Sequence, residues 1–503
     1  MAAGLIRPTC AIGQNQPGAL RNGTDEVEQL RLDLEKTRSQ LAAAQRQIDE
    51  LAARVNALQS KKDSDRDPQD SNASKSPSSA YESPADVARQ GSQERNATPL
   101  PSDLTEAEKL LAARVEEQNQ SKVESASKYR VKISGLILMN AFSTGGRVDQ
   151  QELPNLALTK NGMDGSFGAT LRQSILGLQV FGPEIGGARA SGDVAIDFFG
   201  GFPREPFGTT AGIIRLRTAV GHLDWKNTSV NFGQDAPSFS PLSPTSFATL
   251  AEPAMSWAGN LWVWTPQANV EHRFTTTEDS YVSVSGGVMA PLTPDVPDSA
   301  VATSPGPGER SRRPAFATQV SLHSKLFGRD ALFGIGGYTS HLVYDFRRET
   351  NGWAATTFWQ LPVAHWLEFS GEGYRGKAVG GLGGSLWQDI VYNGDPTLPA
   401  TEARFLNSLG GWTQLKFTAS PRWELNTAVG QDNVLARDLE WAPNVRTEYG
   451  SPFSRNRIAF GNIVFRPKYN VLFSAEYRKI WTFREGQPSN TANQVNLAAG
   501  VSF

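Results

Sequence analysis

Long hydrophobic runs are missing from this chain of 503 residues. Its mean hydropathy is negative, and no apolar stretch reaches the roughly 18 residues that a membrane-spanning helix needs. An α-helical membrane protein is therefore excluded. A transmembrane β-barrel is not, because only every second residue of its strands faces lipid.

Cysteine and catalytic motifs are also scarce. The single cysteine, Cys10, excludes an intramolecular disulfide framework and a thiolate metal cluster. No HExxH or GxSxG motif is present, and the glycine clusters do not open a helix after a strand. We therefore expect no enzyme, no cofactor, no metal site and no nucleic-acid partner. The five histidines lie far apart: His222, His272, His323, His341 and His365.

The amino terminus lacks a clear export signal. A signal peptide has an apolar stretch of about 7–15 residues, whereas here Arg7 and Pro8 follow only a short apolar stretch at positions 2–6. We interpret residues 1–24 as a leader or a disordered terminus.

Residues 25–60 carry the pattern of a coiled coil. Apolar residues recur at spacings of three and four, and charged residues occupy the other faces. A polar helix with so narrow an apolar stripe has little to pack against except copies of itself, so we expect oligomerisation. The predicted seam comprises Val27, Leu30, Leu34, Leu41, Ile48, Leu51, Val55 and Leu58.

Residues 61–128 are rich in Ser, Pro, Asp, Asn and Lys. Such a composition cannot bury enough apolar surface to order the chain. We predict a flexible linker here, with a short helix that begins near Leu104.

The composition changes again in residues 129–503, which we predict to form a transmembrane β-barrel. Stretches rich in β-branched, aromatic and glycine residues alternate with short polar turns and long loops, as in outer-membrane barrels. Sixteen strands are predicted, at 129–142, 166–181, 188–200, 212–226, 228–234, 261–275, 280–290, 314–327, 331–345, 352–364, 366–379, 403–418, 421–432, 454–466, 469–482 and 492–503.

The last predicted strand alternates apolar with small or polar residues and ends on Phe503. Alternate side chains of a strand point to opposite faces, so one face suits lipid and the other suits water. An edge strand of a soluble sandwich would explain the alternation but not the aromatic terminus. The ending resembles the assembly signal of bacterial outer-membrane barrels, which implies a barrel assembly machinery as partner.

Two short motifs carry a more specific resemblance: Arg172-Gln173-Ser174-Ile175-Leu176-Gly177-Leu178 in the second strand and Asn231-Phe232-Gly233-Gln234-Asp235 in the fifth. With the order of segments and Phe503, they make the chain similar to the DcaP-like porins, a group of bacterial trimeric porins. The resemblance implies a homotrimer in the lipid of a Gram-negative outer membrane, with the N-terminal region in the periplasm.

Strand alternation predicts which charged side chains face the lumen. In each case the apolar neighbours of the charged residue are assigned to lipid. The predicted lumen residues are Arg215, Arg217, Glu271, Arg273, Glu372, Glu476 and Arg478. Arg215 and Arg217 would form an anion-attracting pair, whereas Glu476 and Arg478 could equally be an ion pair that only holds the wall. Arg375 faces outward unless Gly373 marks a bulge.

The segment after the fifth strand stands where general porins have an inward loop that narrows the pore. Its prolines would stiffen it, and its hydroxyl groups would provide a polar rim. The alternative is an external loop that never enters the lumen. The candidate constriction residues are Asp235, Ser238, Ser240, Ser243 and Glu252.

These observations predict an outer-membrane porin for small hydrophilic, anionic solutes such as carboxylates. The alternative is a structural barrel that tethers the coiled coil to the peptidoglycan of the cell wall. Conductance separates the two, because a tether needs no open lumen.

Overall fold

A computed structural model describes residues 130–162, 164–201, 212–293, 305–447 and 450–503. The predicted leader, coiled coil and linker (1–24, 25–60 and 61–128) lie outside the described residues, as does the whole seam from Val27 to Leu58. Among the described residues, no helix is long and apolar enough to cross a membrane.

The described chain forms a closed antiparallel β-barrel of sixteen strands, which confirms the predicted strand number and the barrel part of the predicted fold. Each strand pairs with its neighbours in chain order, and the first strand also pairs with the last, for example Ile137 opposite Val501. The strands are β1 Arg130–Gly145, β2 Ser166–Thr170 with Ile175–Ile185, β3 Ala188–Asp197, β4 Arg215–Asp224, β5 Thr228–Asp235, β6 Thr265–Thr277, β7 Ser280–Met289, β8 Ala315–Leu326, β9 Arg329–Tyr344, β10 Arg348–Ala364, β11 Leu367–Lys377, β12 Asn407–Ser420, β13 Trp423–Val434, β14 Phe453–Lys468, β15 Val471–Arg484 and β16 Asn490–Ser502.

The second strand is interrupted, whereas the sequence predicted one continuous strand over 166–181. Both of its segments pair with β1. At the break the Leu138 amide donates to Ser174 Oγ at 3.0 Å instead of to a ladder carbonyl. Arg172 and Gln173 are buried there, so the interruption turns two polar side chains into the barrel.

Two further strand starts were predicted too early. Residues 261–264 do not belong to β6, because the Trp262 amide donates to the Leu382 carbonyl of another connection. Residues Ala403–Phe405 form a separate small sheet with Ile390–Asn393 and Val445–Arg446, so β12 starts at Asn407. Long connections therefore have local structure of their own.

Connections of different length lie at opposite ends of the barrel. One end has tight turns, such as Gly186-Gly187 and Phe327-Gly328. The other end, called here the long-connection end, carries 146–165, 198–214, 236–264, 290–314, 378–406 and 435–452. Two connections at that end are short, 345–347 and 485–489, because β10 and β16 begin earlier and β15 ends later than predicted.

The barrel is apolar outside and polar inside. On β16 exposed and buried residues alternate without a break: Leu497 is 56% exposed, while Gln494 and Asn496 are 1–2% exposed. Phe473 on β15 is likewise exposed. A soluble protein buries such side chains, so this polarity is that of a barrel in lipid.

We expect Leu497→Arg to destabilise the barrel by about 2–4 kcal/mol, because it places a charge in the middle of the apolar face. Asn493→Arg, on the same face of β16 but nearer the long-connection end, should cost about 0–1 kcal/mol. The measurement is the unfolding free energy in phosphatidylcholine vesicles. Equal costs for the two variants would contradict an apolar, lipid-facing belt.

Candidate functional site

The connection between β5 and β6, residues 236–264, lies against the inward side chains of the barrel wall and is called here the inner segment. It contains prolines at positions 237, 241, 244 and 253 and pairs with no strand. Because proline cannot donate a backbone hydrogen bond, the segment does not extend the sheet. Its remaining polar groups need other partners.

Two glutamates of the wall supply several of these partners. Glu372 on β11 accepts hydrogen bonds from Ser240 Oγ and from the Leu242 amide, both at 2.6 Å. Glu476 on β15 accepts one from Ser246 Oγ at 2.6 Å and is paired with Arg478 at 2.9 Å. All three charged side chains are at least 96% buried. The predicted lumen residues Glu372, Glu476 and Arg478 therefore attach the inner segment to the wall.

Uncharged amide side chains on β1, β12 and β14, and one at the break of β2, complete the attachment. Asn140 donates to the Phe247 carbonyl at 2.8 Å, and Asn462 to the Thr245 carbonyl at 2.8 Å. Gln414 accepts from the Thr245 amide at 2.6 Å. Gln173 bonds to both Ala248 and Ala251. Sequence reasoning did not select these residues for the site. The alternation of inward and outward side chains along β1, β12 and β14 could have suggested Asn140, Gln414 and Asn462.

Apolar contacts add to the attachment. Leu242, Met255 and Ala258 of the inner segment form one buried cluster with inward side chains that include Phe358 and Trp412. Part of the barrel interior near the long-connection end is thus packed rather than filled with water.

Gly259 marks the closest approach of the inner segment to the wall. Its φ is +98°, and a Cβ added there would lie 2.2 Å from the Gly411 amide nitrogen and 2.5 Å from the Gln431 carbonyl oxygen. No side chain fits in that space, so this residue allows two backbones to touch.

The two arginines of β4 share one carboxylate. Arg215 and Arg217 bind Asp197 Oδ2 at 2.6 and 3.1 Å. They also donate to the inner segment, Arg217 to the Leu250 carbonyl at 2.7 Å and Arg215 to that of Ala251. Arg217 is 1% exposed, whereas the Arg215 side chain keeps 23% exposure. The cluster has a formal net charge of +1, and Arg215 is the member that water reaches.

Glu252 lies beside this cluster and links two connections. It accepts a hydrogen bond from Asn155 Nδ2 at 2.8 Å. Burial, and then the negative charge of Asp149, raise the pKa of Glu252 to about 7, although Arg215 opposes the shift. Burial also raises the pKa of Asp149 to about 6. Glu252 is thus neutral in mildly acidic solution and ionised in mildly basic solution.

The remaining predicted residues are distributed as follows. Glu271 and Arg273 on β6 pair with each other at 2.9 Å and keep 26% and 21% side-chain exposure. Asp193 and His222, on β3 and β4, make a similar partly exposed pair at 2.6 Å. The wall from β3 to β6 therefore carries charged side chains that water reaches.

The candidate constriction residues fall into two groups. Ser238 and Ser240 are buried against the wall, whereas Ser243 and Glu252 keep partial exposure. Asp235 ends β5, where its carboxylate accepts a hydrogen bond from the next amide.

Three indole rings lie near the end of the inner segment. Trp257, Trp262 and Trp264 are half-buried. Trp387 from connection 378–406 lies 5.5 Å from Trp257 and 6.0 Å from Trp262, and Trp264 lies 5.0 Å from the Arg215 guanidinium. No group of three His, Cys, Asp or Glu residues that could hold a metal occurs among the described residues.

A similar barrel occurs in the outer membrane channel DcaP of Acinetobacter baumannii, with a TM-score of 0.59 and 15% identity over 76% of this chain and 100% of that one. The chain has a porin fold. The anion-selective porin from Comamonas acidovorans aligns with a TM-score of 0.49 and 11% identity over 75% of this chain and 100% of that one. The resemblance to DcaP-like porins is thus confirmed for the fold. No family model and no curated protein sequence matches the chain.

We expect Gly259→Ala to displace the inner segment from β12 and β13 while the barrel still forms, because the new Cβ meets backbone on both strands. Gly162→Ala is the matched control: Gly162 also has positive φ, +86°, but nothing lies within 4 Å of its added Cβ. Hydrogen exchange of the Thr245 amide should rise in Gly259→Ala only. Equal exchange in both variants would contradict the close approach.

Proposed function

We propose that this protein is an outer-membrane porin that lets small hydrophilic solutes diffuse through its lumen. The observation that carries the proposal is the inverted polarity of a closed barrel, apolar outside and polar inside, with the inner segment attached along the wall. An outer-membrane enzyme would need a nucleophile and base, for which the described residues provide no motif.

The inner segment is proposed to be the constriction. It contacts β1, β2 and β9–β15 and also accepts hydrogen bonds from Arg215 and Arg217 of β4. The proposed solute path runs along the charged side chains of β3–β6 that keep partial exposure. There, partly exposed Arg215, Glu271 and Arg273 would meet the solute, and channel selectivity follows the charges at the narrowest section.

A preference for anions is supported by one charge cluster of that wall, not by the total charge of β3–β6, whose strands carry four arginines and five aspartates or glutamates. Glu271 is paired with Arg273, and Asp193 with His222. Arg215 and Arg217 share a single aspartate, Asp197. With His222 neutral, this cluster is therefore the only one of these three groups with a formal excess of positive charge. Small carboxylates are the proposed solutes.

The remaining parts of the proposal rest on the resemblance and on the sequence. They are a homotrimer, a periplasmic coiled coil over 25–60, and recognition of Phe503 by the barrel assembly machinery. Tight turns would face the periplasm, which places the long-connection end at the cell exterior.

Single-channel conductance of the refolded full chain in a planar bilayer tests the function. Steps that occur in threes, with a reversal potential under a salt gradient that shows anion preference, are the expected result. Folded barrels that insert but stay silent would overturn the porin proposal and favour a tether to peptidoglycan.

We expect Arg215→Gln to shift the reversal potential towards cation preference. Asp197 keeps Arg217 as its partner, so the cluster becomes neutral without exposing an unpaired buried carboxylate. Arg455→Gln is the control, since it removes the same charge from an outward position on β14. An unchanged reversal potential in Arg215→Gln would show that this cluster does not select ions.

Anion preference should fall as the pH rises from 5 to 8. Glu252 has a pKa of about 7, so ionisation above that pH adds a negative charge beside Arg215 and cancels its excess. The Glu252→Gln variant mimics the protonated acid and should show a smaller fall in anion preference than the wild type, because only the titration of Asp149, with a pKa of about 6, remains beside Arg215. The reversal potential at each pH checks this, and a variant that follows the wild-type curve would refute it.

A further inference from the structure

Five cationic side chains lie on the outside of one part of the barrel, near the long-connection end. They occupy outward positions on β11, β14 and β15, and we call them the cationic patch: Arg375, Lys377, Arg455, Arg457 and Lys479. The outward positions of β11–β16 contain no aspartate or glutamate. In the half of the barrel nearer the long-connection end, the outward positions of the other strands carry no lysine or arginine. The positive charge of the outer face in this half is therefore concentrated on β11–β15.

Strand register brings the members of the patch together. Arg375, Leu409, Asn433 and Arg455 stand opposite one another across four adjacent strands. Arg457 on β14 pairs with Trp481 on β15. Lys479 is the next outward position on β15, further from the long-connection end, and pairs with Ala459. Adjacent strands are about 4.8 Å apart and same-face residues about 6.7 Å apart along a strand, so Arg455, Arg457 and Lys479 can reach one small anion.

The contacts of these side chains leave their charges uncompensated. Arg455 donates to Asn433 Oδ1 at 3.0 Å, Arg457 to Gln431 Oε1 at 2.7 Å, and Arg375 to the Ser408 carbonyl at 2.6 Å. These acceptors are neutral. None of the five cations forms an ion pair within the described residues. Since like charges repel, the patch is suited to an external anion.

An apolar groove of about 670 Å³ lies on the outer face of β11–β16, and its lining residue Tyr477 is the next outward position to Lys479 on β15. On β14, Ala459 and Gly461 follow Arg457 on the outward face, and the small side chains leave a depression beside Leu425, Tyr477 and Val495. A depression of this kind fits a hydrocarbon chain that runs parallel to the strand.

We propose that the patch and the groove together bind a phosphorylated lipid of the membrane leaflet at the long-connection end. Arg455, Arg457 and Lys479 hold its phosphate through charge-assisted hydrogen bonds, and an acyl chain lies over Gly461. The inference rests on the proposed membrane location of the barrel, but not on conductance.

A second copy of this chain fits the patch less well. In that half of the barrel, the outward positions of the described strands offer one carboxylate, Glu349, which already lies 3.6 Å from His341. One carboxylate cannot match five cations. A lipid phosphate matches both the charge of the patch and the apolar groove beside it.

The test is native mass spectrometry of the full chain in detergent, titrated with bisphosphorylated lipid A and with dephosphorylated lipid A as probes. The charge variant is Arg455→Gln with Arg457→Gln and Lys479→Gln. Its matched control removes three exposed cations from connections at the same end: Arg312→Gln, Arg313→Gln and Arg347→Gln. Gly461→Leu fills the groove without a change of charge, and its new Cβ would have no neighbour closer than 3.8 Å.

We expect the charge variant and Gly461→Leu each to bind bisphosphorylated lipid A about tenfold more weakly than the wild type does. The control variant should bind it as the wild type does. All of these proteins should bind the dephosphorylated lipid weakly. Equal binding by the charge variant and the wild type would overturn the proposal. Unchanged lipid binding with loss of self-association in the charge variant would also overturn it, because the patch would then be an interface between copies. Conductance is measured separately, so a silent channel that binds the lipid would reject only the porin function.

Discussion

The structure depends on the satisfaction of backbone polar groups inside a closed barrel. The inner segment is rich in proline, pairs with no strand and is mostly buried, so each of its buried amides and carbonyls needs a partner. The wall provides such partners through Glu372, Glu476, Asn140 and Asn462 among others. An unpaired buried amide or carbonyl costs about 1–3 kcal/mol, and these side chains therefore determine where the segment can lie.

Much of the fold follows from the sequence because it depends on local patterns. Period-two alternation and turn residues predict sixteen strands, and the closed barrel with that number confirms them. The predicted strand boundaries were wrong where contacts between residues distant in sequence determine the structure. Nothing near Ser174 indicates that it interrupts β2, since its partner is the Leu138 amide of β1.

The candidate site shows a sharper limit. Alternation assigns Arg217 and Glu372 to the inward face, but it cannot tell whether a side chain on that face meets water or another part of the chain. Both are buried under the inner segment, whose position depends on contacts with residues more than 100 positions away. Phe358 and Trp412 are buried on that face too, and their side-chain type alone does not distinguish them from lipid-facing aromatics.

The attachment of the inner segment also spans the seam at which the barrel closes. Residues 246 and 247 bond to Glu476 on β15 and to Asn140 on β1, which lie on either side of the β1–β16 pairing. That pairing joins the two ends of the sheet. The inner segment therefore connects the first and last parts of the barrel from inside as a strut, beside the seam where their backbones pair.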